Sequence, residues 1–401
     1  MQSESTDTFS YVPKPFSFSE VYDFPVREQY TGTKLYGEEF DTFRKFPVNN
    51  FRDADGSKGE INSLQFLFNY LYLVQRNGFA RVRFNDRELI TGQTGSAIDI
   101  GTGLGLQGFD YISAIYGTQH QFSVVNTGRM LHFLDAEKGK HLRFAADGLM
   151  SPSDEYGHSI YFKKKLRDYW AVKDPFNTIY PLLSEQQKPY YDNPCYAGGI
   201  VGIFDYVNQS VYYTFTKRIE STTTGVKYVG DAETLEYNES SNQYKGFHAF
   251  TPKIYFSFKE NYLSPDPNSQ SSIYAHDEGL VGHIYGVYHN SSIKFTVNPQ
   301  QVIPKWFDNQ SIAINNKDAS VKIYQAKLDA ADYVQQVVNF PTDTRWRYLQ
   351  GYLRYPTRGY NAETRLRGKF MNVEIVVQND TDNQKVRISN VMTDWRVSPK
   401  I

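Results

Sequence analysis

Gly103-Leu-Gly105-Leu-Gln-Gly108 has the GxGxxG spacing. A dinucleotide site needs that spacing between a strand and a helix, so that the helix N-terminus faces the pyrophosphate. Here the following FDYISAIYG is β-branched, aromatic and too short for that helix. No acid stands where the ribose would need one, and a glycine-rich turn is expected. Asp53-Ala-Asp55-Gly56-Ser57 opens like a calcium loop. An EF-hand then needs Gly at its sixth position and a bidentate Glu at its twelfth. Those positions are Lys58 and Leu64, so the expectation is an acidic surface turn. His276, Asp277, Glu278, His283 and His289 lie close in sequence, but their spacing fits no zinc pattern such as HExxH. They are expected at loops and strand ends. Cys195 sits between Pro194 and Tyr196 with no protease signature around it.

Paired carboxylates are equally unpromising. Asp154-Glu155 and Asp277-Glu278 are adjacent, and neighbours in a strand point to opposite faces, which makes poor acid/base partners. Arg365, Arg367 and Lys369 alternate along one strand face, and Arg345 and Arg347 flank Trp346 on another. Such stripes meet an acidic partner or phosphate, or are solvated edges whose charges discourage aggregation. Protein contact is the leading expectation. No residue is expected to be catalytic, to bind a cofactor or to ligate a metal, so the chain is read as no enzyme.

The elements that carry these residues are short. Aromatic residues make up 16% of the 401, with 32 Tyr and 28 Phe, and these side chains suit the half-buried surface of a sheet. Gly, Asn and Asp recur at short intervals, while long stretches of helical period are scarce. Many short strands joined by turns follow, giving an all-β chain. The net charge of -1 offers no basic field for nucleic acid and no acidic excess that would mark disorder. A single cysteine excludes an internal disulfide and fits assembly in a reducing compartment. The first residues lack a basic n-region and an apolar h-region, so no signal peptide is expected. No run reaches the roughly 18 to 20 apolar residues of a membrane-spanning helix.

Residues 1–60 read as an extended segment broken by Pro13, Pro15, Pro25 and Pro47. INSLQFLFNYLYLVQ leads into Asn77-Gly78 and then the alternating Phe79–Phe84, the strongest short-range hairpin signal. From His120, strands are expected at Phe122–Val125, Met130–Leu134 and His141–Phe144, with turns at Asn126-Thr127-Gly128 and at Asp135–Lys140. Residues 163–196 are charged, punctuated by prolines and suited to one or two short helices. Hairpins return at Gly199–Tyr206 with Val211–Thr216, at Thr234–Asn238 with Gly246–Phe250, and at Ile284–Tyr288 with Ile293–Val297. Hairpins recurring at uneven intervals, on the order of 30 to 80 residues, suit irregular blades of a β-propeller. After Pro299 the character changes. Lys322–Asn339 is the best helix candidate, and Lys369–Val377 with Lys385–Asn390 are expected to pair across an Asn/Asp turn. Residues 341–401 carry 11 Lys/Arg and 6 Asp/Glu, a net of +5 against -6 in the rest. The expected architecture is an irregular propeller-like hairpin array over 61–298, followed by a C-terminal β-sandwich-like unit with a short helix over 299–401.

Several ordered stretches carry a family resemblance. They are INSLQFLFNYLYLVQRNGFARVRFNDRELI, GTGLGLQGFDYISAIYGTQHQFSVVNTGRMLHFLDAEKGKHLRF, GLMSPSDEYGHSIYF and GIVGIFDYVNQSVYYTF, then LEYNESSNQYKGFHAFTPKIYFSF, WFDNQSIAIN, RLRGKFMNVEIVV and ISNVMTDWRV. Together they span roughly residues 60–395, and their order carries the weight. The chain resembles the muzzle or stabilisation proteins in the tails of crAss-like phages, tailed viruses of Bacteroidota. The resemblance implies the C-terminal portion of a longer protein or the product of a split gene. It implies a virion structural protein at the tail or portal vertex, without enzymatic activity. Its partners would be copies of itself in a ring and other tail proteins, with transient DNA contact during ejection and no membrane insertion. Assembly would occur in the host cytoplasm. The alternatives are a tail-borne receptor- or glycan-binding β module, whose exposed rings stack on sugars, and a glycosidase on a propeller scaffold.

Overall fold

The computed structural model describes residues 24–32, 42–84, 88–91, 97–100, 105–173, 198–216, 218–222, 225–229, 231–267, 272–314, 323–330, 334–339, 347–356, 367–377 and 386–398. It is mostly antiparallel β-structure in several sheets, as the composition predicts. The chain divides into two compact units, Met1–Pro267 and Asn268–Ile401.

The first unit opens with a short pair, β1 (Arg27–Gln29) and β2 (Phe51–Asp53). A four-stranded sheet follows from β3 (Ile61–Leu67), β4 (Tyr70–Gln75) and β5 (Gly78–Phe84). After the inserted hairpin β6 (Glu88–Thr91) and β7 (Ala97–Ile100), it is completed by β8 (Leu106–Ser113). Asn77-Gly78 does sit at a reversal, since Gln75 pairs with Gly78. A second reversal lies inside the run read as one strand. Phe68 and Asn69 both take positive φ, 51° and 65°, so β3 turns back on β4 at once. These angles belong to a type I′ turn, and a bulky aromatic there is an outlier that no composition rule anticipates.

The second sheet is a meander of β9 (Val125–Asn126), β10 (Leu131–Asp135), β11 (Lys140–Ala145) and β12 (Gly148–Met150). Residues Gln121–Ser123 form a 3-10 turn where a strand was expected, leaving only the two-residue β9. Ser123 donates to the His120 carbonyl from both its amide and its hydroxyl, and these local bonds curl the chain. Two helices come next, α1 (Pro152–Glu155) and α2 (Ser159–Lys173). The third sheet joins β13 (Ile200–Asp205) and β14 (Ser210–Phe215) to β17 (Glu233–Asn238) and β18 (Gln243–His248). The hairpin β15 (Arg218–Thr222) and β16 (Gly225–Val229) is inserted after β14. β19 (Phe256–Phe258) pairs with β20 (Asn261–Pro265).

Alternation decides how these sheets stack. Leu131, Phe133, Leu142 and Phe144 pack against Leu67, Tyr72, Val74 and Phe79 of the first sheet. The opposite face of the second sheet contributes Leu134 to a core with Phe162 and Leu166 of α2 and with Tyr213, Phe215 and Leu235 of the third sheet. The second sheet is thus covered on both faces. The link from β8 passes close against the β4–β5 reversal: a Cβ on Gly117 would lie 2.1 Å from the Gln75 carbonyl oxygen, so only glycine fits.

The second unit holds β21 (Ile273–Ala275), the tight pair β22 (His283–Ile284) and β23 (Val287–Tyr288), β24 (Ser291–Val297) and β25 (Lys305–Ile314). β26 (Ile323–Ala330), β27 (Val334–Asn339), β28 (Arg347–Leu349), β29 (Tyr352–Pro356), β30 (Arg367–Gly368), β31 (Met371–Val377) and β32 (Ile388–Val397) complete it. One sheet runs β24-β31-β26-β27; the other centres on β25, which pairs with β29, β30 and β32. Phe307, Ile312, Leu353 and Tyr355 from the second of these sheets share one core with Met371, Val373 and Ile375 from the first.

Three expectations fail here. The helix expected over Lys322–Asn339 is the β26–β27 hairpin, with Ala330 opposite Val334. Its Ile, Val and Tyr content tolerates either state, and β31 offers β26 a full strand to pair with, which overrides a weak local preference. Ile293–Val297 pairs with β31 instead of with Ile284–Tyr288, because Tyr285 and Gly286, both at positive φ, already close β22 on β23. Lys369–Val377 and Lys385–Asn390 do not pair with each other: β31 lies between β24 and β26, while β32 runs along β25.

Candidate functional site

A buried chain of titratable side chains lies between the second and third sheets. Asp135 pairs with Lys140 across the β10–β11 turn, so His132, Leu134, His141 and Arg143 share one face. His132 and His141 are diagonal neighbours on it, and both are fully buried. The β17–β18 hairpin brings Glu239 from its turn and Tyr244 from β18. His132 Nε2 lies 2.8 Å from Glu239 Oε1, His132 Nδ1 lies 3.1 Å from His141 Nε2, and His141 Nδ1 lies 2.7 Å from Tyr244 Oη.

One tautomer pattern satisfies all three contacts. His132 donates from Nε2 to the Glu239 carboxylate, His141 donates from Nε2 to His132 Nδ1, and Tyr244 donates its hydroxyl to His141 Nδ1. Burial holds the His132 pKa below its ordinary value, against the raising effect of Glu239. Burial also pushes His141 well below the ordinary range, helped by His132 and Arg143. Tyr244 is pushed upward by burial and stays a neutral donor. Aromatic rings close the surroundings: Tyr237 and Tyr213 lie edge-on to His141 at 5.1 and 5.2 Å. Tyr213 Oη and Arg143 Nε are buried without hydrogen-bond partners. The chain of groups has a fully buried centre, so it can hold or pass a proton and fix the spacing of two sheets, but it presents no reactive atom to a substrate.

The positions singled out from sequence are not gathered here. Asp53 receives a two-pronged ion pair from Arg27, at 2.8 and 3.0 Å, which holds its carboxyl below the ordinary value. Asp55 accepts from the Ser57 amide as a helix cap. The acidic turn is thus occupied by structural partners. Gly105 takes φ 80° and leads into strand β8, not into a helix, so the fingerprint lacks its phosphate-binding helix end. Asp154 lies on α1 and pairs with Lys140 at 2.7 Å. His283 packs edge-on to Tyr288 in the small β22–β23 hairpin, and no cluster of metal-ligating side chains occurs among the described residues. Arg367 donates to Ser398 and lies over the Trp306 ring. Arg347 stands on β28 directly across from Arg354. Cys195, Arg345, Trp346 and Arg365 lie outside the described residues.

Sequence reading missed His132, His141, Glu239 and Tyr244. The register of the expected β10–β11 hairpin would have brought the two histidines together. Nothing local marks their partners, which lie 107 and 103 residues away.

A family profile described as crassvirus muzzle protein matches residues 2–268. The chain belongs to that family. The match ends where the first compact unit ends, so the buried histidine chain lies wholly within the family region. The curated muzzle protein of Bacteroides phage crAss001 is 24% identical over 332 residues, which are 82% of this chain and 21% of that protein. The chain therefore spans about a fifth of the length of that relative. Among solved structures, a glycoside hydrolase aligns over 83% of both chains at 10% identity, with a TM-score of 0.14, too low to carry any argument.

Proposed function

We propose that this chain is a structural component of a phage virion, packed into the tail or portal vertex, and that it acts as a scaffold without catalysing a reaction. The observation that carries this reading is the family match over 2–268. The physical form of the first unit supports it. Successive four-stranded antiparallel sheets follow in chain order, the second packed on both faces, and the polar groups at its centre face one another instead of a cleft. Consecutive stacked meanders of this kind favour a propeller-like array, and two sheets around one core favour a sandwich-like C-terminal unit. The pairing of β24 with β31 favours a join between the two ahead of β24, short of the expected boundary at 298.

In this reading the partners are further copies of the chain in a ring and other tail proteins, and assembly takes place in the host cytoplasm before any passing contact with DNA. The C-terminal unit supplies a candidate contact. Arg347 and Arg354 are exposed, face each other across β28–β29, and have no ion-pair partner among the described residues. Like charges directly opposite are unfavourable within a sheet and call for an acidic neighbour. Cryo-electron microscopy of purified particles tests the assignment: density for this chain at the tail vertex is expected. Its absence from particles that retain their tails would end the reading.

A further inference from the structure

We propose that the Glu239–His132–His141–Tyr244 chain is an acid-released latch that holds the β17–β18 hairpin onto the β10–β11 hairpin. The geometry permits one satisfied arrangement with no proton to spare. Each ring nitrogen has a single partner, and the two imidazoles meet nitrogen to nitrogen at 3.1 Å. A first added proton turns His132 Nδ1 into a donor. His141 must then accept at Nε2 and donate from Nδ1, which displaces the Tyr244 hydroxyl from its acceptor. A second proton leaves two N–H donors and two positive charges face to face at that distance. No rearrangement inside the closed cluster relieves this, so the hairpins must separate.

The charged surroundings favour release once the first proton is bound. Glu239 attracts the proton, whereas Arg143, on the same face of β11, repels it. From β14, β17 and β18 come Tyr213, Tyr237 and Tyr244, all pushed upward by burial and so neutral across this range. From the link between α1 and α2, the His158 ring lies against the Tyr244 ring at 4.2 Å between centroids. Asp154 there is held by Lys140, and Glu155 lies toward Tyr237. Leu134 and Phe162 fill the remaining sides and supply no counter-charge.

The sign separates this device from other buried acids. The histidines are depressed below their unfolded values. Their contribution is complete above the ordinary histidine pKa and is lost as pH falls through it toward the folded values. Asp135 and Glu28, raised by burial to about 6 and about 7, lose stability in the opposite direction, as pH rises.

Amide hydrogen exchange on the full chain, corrected for intrinsic rates, tests the latch between about pH 7.5 and about pH 5. Protection across Glu233–His248 should fall about tenfold or more relative to Tyr70–Phe84, with a slope requiring more than one proton. Glu239→Gln keeps the acceptor oxygen but removes the charge, and should move release to higher pH. His132→Phe with His141→Phe should abolish the selective loss. Equal pH dependence in both regions of the wild type would overturn the proposal, as would a Glu239→Gln profile superimposed on the wild type. Should the double variant not fold, the Glu239→Gln shift alone decides.

Discussion

The hairpins β10–β11 and β28–β29 are built alike, two short antiparallel strands around a polar turn, yet they meet opposite fates. In β10–β11 both faces are covered, one by Leu67, Tyr72, Val74 and Phe79 of the first sheet, the other by the third sheet and α2. Its three charged or titratable residues on one face, His132, His141 and Arg143, are desolvated, and the two histidines find their partners inside the protein. In β28–β29 one face carries Leu353 into the core, while Arg347, Arg354 and Leu349 stay in water. There solvent weakens the repulsion between the like charges without removing it. Burial, not hairpin geometry, decides whether a polar residue becomes an internal constraint or an invitation to an outside partner.

The widest gap between the two should come from their apolar positions. Phe133 is fully buried, with its ring 5.5 Å from that of Phe79. Phe133→Ala should cost about 3–5 kcal/mol in urea melts at neutral pH. Leu349→Ala, at a half-exposed position, should stay within about 0.5 kcal/mol. Equal losses would mean that β28–β29 is covered in solution by something other than water.

The polar face of β10–β11 comes next. His141→Phe fills the space but leaves His132 Nδ1 and the Tyr244 hydroxyl unpaired in a dry interior. A loss of about 2–3 kcal/mol is expected at pH 7.5, since each orphaned buried group carries a desolvation cost. The loss should shrink toward pH 5, because the variant no longer forfeits the stability that acid takes from the wild type. A pH-independent difference would show that the imidazole matters only for its shape.

How much of this contrast can be read in advance depends on where the information lies. The β10–β11 strands and their register follow from alternation around Asp135–Lys140, and Asn77-Gly78 marks its reversal by position, although Gly78 pairs with Gln75 as the first residue of β5 and neither residue takes positive φ. The Phe68-Asn69 reversal is hidden because Phe at φ 51° is an outlier, so its residue type does not announce a turn. Lys322–Asn339 misleads for a related reason: its local pattern admits a helix, and the deciding partner, β31, lies in a distant segment. The histidine chain is half legible. Two residues fall on one predicted face, but Glu239 and Tyr244 arrive only when the third sheet stacks on the second.

A third buried group sharpens the rule at the edge of the first unit. Glu28 on β1 is 6% exposed and its Oε1 has no hydrogen-bond partner, so desolvation raises its pKa to about 7. Its contribution is complete below the unfolded value of 4.5 and is lost as pH rises through about 7. Glu28→Met should therefore stabilise the protein by about 2 kcal/mol at pH 8 and have little effect at pH 4.5. Thermal melts at the two pH values read the difference. A destabilised variant at pH 8 would mean that the carboxylate has an ionic partner in solution.

The smallest effect on folding carries the most information about assembly. Arg354→Glu replaces the opposed arginines of β28–β29 with a cross-strand ion pair between Arg347 and the introduced carboxylate. Exposed pairs of this kind change stability by no more than about 0.5 kcal/mol, and the sign should be favourable. The same substitution removes one prong of a two-arginine fork and places a carboxylate where an acidic neighbour would sit. If the fork meets such a neighbour, the variant should fold at least as well as the wild type, yet its incorporation into particles should fall, with the remaining contact less sensitive to salt. Normal incorporation of Arg354→Lys would mark a simple charge contact, whereas failure of that variant would mark a bidentate one. Unchanged incorporation of Arg354→Glu would make the pair an ordinary solvated edge, and the contrast with β10–β11 would then reduce to burial alone.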